Sequence, residues 1–222
     1  MALTGAGRMT DPGLHDYLKG RDSRIAHGLL GPPSGRLLDA GCGDGADLRS
    51  LEAMGWDAYG LEPFQTFRGD KWVRGTVERI PFRDGTFDAV TSILVLDHLE
   101  YPEAGLIEAF RVLRPGGRAA FVVFSDSPLN LRTALRILHY GAKGHPARTR
   151  LSSLRRMRRL MVDAGFQCVE IRRSDFLPWF TGGLPPTIRR RLFEALVASE
   201  ERLARSPVRF IARKLVVTGV KA

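Results

Sequence analysis

The stretch Leu37-Leu38-Asp39-Ala40-Gly41-Cys42-Gly43-Asp44-Gly45 limits what this chain can fold into more than any other. The short apolar run at its start reads as a buried strand, and glycines at 41, 43 and 45 follow at once. Residues without a Cβ let the backbone turn sharply and let a ligand approach the main chain. Residues 46–54 then read as a helix with Leu48 and Leu51 on one side, ended by Gly55. Its first N–H groups point back into the glycine turn. A strand, a glycine turn and a helix in that order form the repeating unit of a parallel sheet.

The rest of the chain extends the pattern. Further strands are expected at 57–61, 73–76, 87–94, 118–124, 168–171 and 210–220. Helices are expected at 14–30, 64–71, 99–113, 130–138, 153–164 and 188–203. Ser152 or Ser153 is the expected N-cap of the helix at 153–164, and Gly165 its terminating glycine. Pro115-Gly116-Gly117 closes the helix at 99–113. The expected fold is α/β: a doubly wound, mostly parallel seven-stranded sheet with helices on both faces and a C-terminal antiparallel strand.

Composition excludes several classes. Hydrophobic residues make up 44% and charged residues 26% of 222, enough apolar material for a real core. No window nears the roughly 18 consecutive apolar residues of a membrane span. Residues 1–12 lack the apolar run of a secretory signal, and two cysteines cannot build a disulfide framework, so a cytoplasmic location is expected. The histidines at 15, 27, 98, 139 and 145 show no metal-ligand spacing, and no metal is expected. Charge divides unevenly: residues 1–125 carry a net −3 and residues 126–222 a net +13. A basic half of this size suits an anionic substrate, membrane headgroups, nucleic acid or a plain solvated surface.

Two acids near the glycines narrow the ligand. Glu62, at the end of the second expected strand, stands where a carboxylate can accept both hydroxyls of a ribose. Asp39 sits two residues before the first glycine. An acid so close suits a ligand that is cationic at that end better than the pyrophosphate of a dinucleotide.

The glycine segment resembles the first motif of class I S-adenosylmethionine-dependent methyltransferases. The resemblance continues in order through Gly60-Leu61-Glu62-Pro63, then 77–90 (Val77-Glu78-Arg79-Ile80-Pro81 to Ala89-Val90), Leu96-Asp97-His98-Leu99 and 110–118. It is similar above all to the small-molecule methyltransferases of ubiquinone and menaquinone biosynthesis, and it covers about residues 35–124. It implies a Rossmann-like fold binding S-adenosyl-L-methionine and releasing S-adenosyl-L-homocysteine. By that resemblance Gly41, Cys42 and Gly43 face the methionine portion and Glu62 holds the ribose, while Asp39, at the strand tip, is read from its position as ordering the loop or approaching an ammonium group. Pro63 or Phe64 flanks the adenine, the segment Thr76-Val77-Glu78 covers its edge, and Ile93 or Leu94 lies near the methyl group. Many relatives have aspartate where this chain has Thr76, which shifts adenine recognition toward the Val77 backbone.

His98 is the best-placed base, and Tyr17, His98, Tyr140 and Trp179 are the candidate substrate-binding residues. The chain is read as one domain: an N-terminal lid helix at about 13–31, the cofactor-binding core at 35–124, an acceptor-side insertion at 126–150, and C-terminal strands and helices from 151 to 222. The expected acceptor is a small molecule, anionic or lipid-linked, with no stable nucleic-acid partner. Peripheral membrane contact stays open, as does the choice between monomer and homodimer. Two alternatives remain beside it, an RNA methyltransferase using the basic half and a non-catalytic cofactor-binding protein.

Overall fold

The computed structural model describes residues 12–64, 70–130, 151–176 and 185–222. They form β1 (Arg36–Ala40), β2 (Asp57–Glu62), β3 (Trp72–Arg74), β4 (Phe87–Ile93), β5 (Leu113–Phe124), β6 (Gln167–Ser174) and β7 (Lys214–Val220). The helices are α1 (Pro12–Leu30), α2 (Ala46–Ala53), α3 (Pro102–Val112), α4 (Leu154–Asp163) and α5 (Pro186–Arg205). The strands make one sheet in the order β3-β2-β1-β4-β5-β7-β6. Strands β1 to β5 are parallel, and β7 runs antiparallel to its neighbours β5 and β6. This is the mostly parallel, doubly wound sheet expected from the sequence.

Strand alternation supplies a core on each face. Leu38, Phe121, Val123, Leu215 and Val217 face one side, where Leu106, Ala109 and Val112 of α3 and Met157 and Met161 of α4 cover them. Leu37, Ala120, Val122 and Val216 face the other, against Ala26 and Leu30 of α1 and Leu48 and Leu51 of α2. Strands apolar on both faces are what a sheet sandwiched between helices requires.

Several boundaries differ from expectation, each for a visible reason. The helix expected at 99–113 starts only at Pro102, a favoured first helical residue, after a short 3-10 turn at Leu96–His98. Strand β5 begins at Leu113, not 118, because Pro115-Gly116-Gly117 forms an irregularity inside the strand rather than a stop. Pairing shifts there from Phe87↔Leu113 to Ala89↔Arg118, and the Gly116 N–H donates to the Lys221 carbonyl at 2.7 Å. The strand expected at 210–220 starts at Lys214, since Pro207 opens a 3-10 turn through Ile211. Strand β3 ends at Arg74, two residues early, and β6 runs on to Ser174. Ser153 is the N-cap of α4, accepting from the Arg156 N–H at 3.1 Å, and Gly165 has φ +102°. Most of the helix expected at 64–71, and all but the first residue of that at 130–138, lie outside the described residues.

A buried ion-pair cluster ties the first helix to the last strand. Lys214 Nζ contacts Asp22 Oδ2 of α1 and lies 3.3 Å from Asp175 Oδ2 just past β6. Arg213 lies 3.7 Å from the same Asp175 oxygen. Lys214, Asp22 and Asp175 are all buried, so removing the ammonium leaves two buried carboxylates short of compensation. Lys214→Met is therefore expected to lower stability by about 3–5 kcal/mol in urea unfolding. A variant as stable as wild type would show that the cluster contributes nothing.

Candidate functional site

In a parallel sheet the C-terminal strand ends lie along one edge, and a crevice opens where the strand order reverses. Here the reversal falls between β1 and β4. Ser92 Oγ donates to the Ala40 carbonyl at 2.7 Å, fastening the two strands at the crevice floor.

The glycine turn follows β1. The Gly41 and Cys42 N–H groups both donate to the Leu61 carbonyl, at 2.8 and 3.2 Å, binding the turn to the exit of β2. Gly41, Gly43 and Gly45 have φ values of +89°, +56° and +72°, a region that favours glycine. A Cβ at Gly41 would collide with the Val95 side chain, and one at Gly45 with the Trp72 ring. At Gly43, among the described residues and apart from its chain neighbours, no heavy atom lies within 4 Å of where a Cβ would stand. Two of the three glycines are thus demanded by packing, whereas the third presents bare backbone to open space.

Glu62 closes the turn from the other side. Its Oε2 accepts from the Gly43 N–H at 3.2 Å and its Oε1 from the Phe64 N–H at 3.3 Å. The Gly75 N–H donates to the Glu62 carbonyl at 3.4 Å, drawing the exit of β3 alongside. An ionised carboxylate has about four acceptor positions. Two backbone donors fix this one in orientation and leave capacity for two hydroxyls.

The side chain of Cys42 points away from the turn. It is buried, its sulfur packs over Gly60, and its thiol is pushed up to about 12 by burial and then by the charges of Asp39 and Glu62. It is inert at neutral pH, so only its main chain faces the crevice. Asp39 is buried at the end of β1. Asp44 Oδ1 accepts from the Ala46 N–H at 3.3 Å, and Asp47 lies in the first turn of α2.

Beyond β4, Leu94 adopts φ +58° while its N–H donates to the Val122 carbonyl at 2.8 Å. A left-handed leucine at a strand tip is held there by its surroundings, a feature concentrated at functional sites. The Leu96–His98 turn follows, abutting the glycine turn through Val95. Its Asp97 is buried, with Oδ2 accepting from the Phe124 N–H of β5 at 2.8 Å and Oδ1 without a hydrogen-bond partner among the described residues. Burial raises the Asp97 carboxyl to about 7, only partly offset by the Phe124 hydrogen bond.

The structure therefore brings Gly41, Cys42, Gly43, Glu62, Pro63, Ile93 and Leu94 to one crevice, with Asp39 beneath it. Thr76 is exposed just beyond β3, and the Val77 side chain is buried in the core. His98 is exposed on the turn. Tyr140 and Trp179 lie outside the described residues, as does the Tyr17 side chain. Trp72 and Ser92 carry no local signal in the sequence, and Asp97 enters there only within the Leu96-Asp97-His98-Leu99 motif. A cavity of about 640 Å³ opens beside Thr76, walled by Arg74, Arg79, Ile80, Pro81, Glu108 and Arg111. No glycine-turn residue lines it, so it does not mark the crevice.

A glycine turn after the first strand of a doubly wound sheet with a terminal antiparallel strand defines the class. Residues 17–171 match the family model described as a methyltransferase domain, and the chain belongs to that family. It is 37% identical over 105 residues to a demethylmenaquinone methyltransferase of Beutenbergia cavernae, covering 43% of each chain. It is 36% identical over 121 residues to a malonyl-[acyl-carrier protein] O-methyltransferase of Methylococcus capsulatus, covering 48% of this chain and 44% of that one. The match thus spans under half the length of these relatives. A crystal structure from Thermotoga maritima, described as a SAM-dependent methyltransferase and possible histamine N-methyltransferase, superposes with a TM-score of 0.62. That pair shares 20% identity over 94% of this chain and 96% of the other, a likeness of fold.

Asp97 gives this edge a pH signature. Its folded pKa lies above the ordinary carboxyl value of 3.8. Its contribution to stability is therefore full below about pH 4 and is lost as pH rises to about 7. Asp97→Asn, which keeps an oxygen acceptor for Phe124 and cannot ionise, is expected to flatten that decline and to melt above wild type at pH 8. Parallel melting curves across this range would refute the assignment.

Proposed function

We propose that this protein transfers a methyl group from S-adenosylmethionine to a small-molecule or lipid-like acceptor. The observation carrying the reading is the pairing of Gly43 and Glu62: open backbone at the turn beside a pre-oriented carboxylate with free acceptor capacity. The turn leaves room for the methionine portion, and Glu62 accepts the ribose hydroxyls. Pro63 flanks the adenine, while Thr76 and the Val77 backbone meet its edge. The surrounding charge favours this ligand over a dinucleotide. Asp44 and Asp47 stand at the start of α2, where a pyrophosphate would have to sit. Asp39 and Glu62 add further negative charge, which suits a sulfonium and an ammonium.

S-adenosylmethionine supplies an activated methyl group, so the protein's tasks are alignment and exclusion of water. Ile93 and Leu94 form the apolar wall beside the transfer point. In this reading His98, on a turn pinned to β5 through Asp97, takes a proton from an oxygen or nitrogen acceptor. Relatives named for quinone and malonyl-carrier-protein methylation support a small or lipid-like acceptor. The chain is read as one domain, whose acceptor-side insertion at 126–150 lies mostly outside the described residues.

Isothermal calorimetry with S-adenosylmethionine and S-adenosylhomocysteine tests the proposal. Glu62→Ala removes two charge-assisted acceptors, each contributing about 1.5–3 kcal/mol, and affinity should fall at least about tenfold. Gly43→Val should abolish binding by placing a branched side chain in the ligand's path, with the fold retained by circular dichroism. Unchanged dissociation constants in either variant would overturn the site.

A further inference from the structure

Strands β6 and β7 pair at Ser174↔Lys214, and between these partners the chain leaves the sheet for residues 175–213. Strand β7 is antiparallel to β5, with Lys214 opposite Phe124. The excursion therefore departs from and returns to the same edge that carries the glycine turn and Glu62. It ends in the 3-10 turn Pro207–Ile211, mounted beside the exit of β5. The Ser127 hydroxyl donates to the Ile211 carbonyl at 2.6 Å and the Ser125 hydroxyl to that of Ala212. Ser206 Oγ donates to the Leu203 carbonyl at 2.8 Å, and the Arg209 and Ala212 N–H groups close the turn internally. Ala212 is fully buried.

On this rigid mount Val208 is 42% exposed and Phe210 55% exposed. Arg202, Arg205 and Arg209 are exposed around them, and residues 202–211 contain no acid. Two exposed apolar side chains thus stand in a basic stretch of the chain that begins just after Glu200 and Glu201. That combination matches an interface with apolar interior and anionic surface.

We propose that Val208 and Phe210, flanked by Arg205 and Arg209, dock the ligand-bearing edge of the sheet onto an anionic lipid surface. The proposal rests on the methyltransferase reading only for the meaning of that edge: docking there would let an acceptor dissolved in the lipid reach the crevice.

Flotation of the whole protein tests it, using vesicles of about one part phosphatidylglycerol to three of phosphatidylcholine beside vesicles of phosphatidylcholine alone. Wild type should float with the anionic vesicles, and less so at high salt. Val208→Ser with Phe210→Ser, and separately Arg205→Gln with Arg209→Gln, should each reduce the bound fraction about tenfold. S-adenosylmethionine affinity in the same variants should equal wild type, which separates a failure of docking from a failure of the active-site reading. Absence of wild-type flotation, or equal flotation of the variants, would overturn the proposal. A change in sedimentation of the serine variants from dimer to monomer would also overturn it, by showing that a second copy covers the turn.

Discussion

The reversal of strand order at β1 is the constraint on which the ligand-bearing side of this protein depends. The chain builds outward from β1 to β2 and β3, then returns past its starting point to lay down β4. No helix can cover the ends of β1 and β4 from both directions, so a crevice stays open there. Everything of chemical interest hangs on this gap. The Leu61 carbonyl captures two N–H groups of the turn, Ser92 holds β4 to the end of β1, and Glu62 reaches back to Gly43. The three glycines divide the work, with 41 and 45 admitting Val95 and Trp72 while 43 keeps its main chain open.

Electrostatics sharpen what the gap will accept. Carboxylates at 39, 44, 47 and 62 surround a turn that, in a dinucleotide site, would meet a pyrophosphate. Burial, with the charges of Asp39, Glu62 and Asp44, keeps the Cys42 thiol protonated. A second polar region lies further along the same edge, where Ser125, Ser127, Asn130, Arg213, Lys214 and Asp175 join β5, β6 and β7. Asn130 donates to the carbonyls of Ser125 and Arg213, both at 2.7 Å. These bonds fix the points from which the chain leaves the sheet toward residues 131–150 and 177–184.

Much of this was legible in the sequence because it is local. The run from Leu37 to Gly45 announces strand, turn and helix within nine residues. The burial of Leu48 and Leu51 follows from helical spacing alone. Glu62 was found because strand ends and ribose hydroxyls impose a fixed spacing. The misjudged boundaries share another cause. Pro115-Gly116-Gly117 ends a helix by local rules, yet Lys221, more than a hundred residues later, supplies the hydrogen bonds that keep it within a strand. Phe210 and Ile211 have strand-forming side chains, but Pro207 and the hydroxyls of Ser125 and Ser127 hold them in a turn. Asp97 looked unremarkable until Phe124 came to lie over it, and the Asp22–Lys214 pair joins residues 192 apart. Contacts of that range leave no periodic trace along the chain.

The position of β7 carries a consequence for how the molecule is made. It is the last strand in sequence but is inserted between β5 and β6, so β6 touches the sheet only through it. During synthesis β1 to β5 can zip together as they emerge, while β6 waits with nothing to pair with. The exposed flank of β5, rich in Ala119 to Val123, stays open for the same interval. Completion is thus withheld until residues 214–220 have left the ribosome, and the nascent chain spends that time with an unprotected edge.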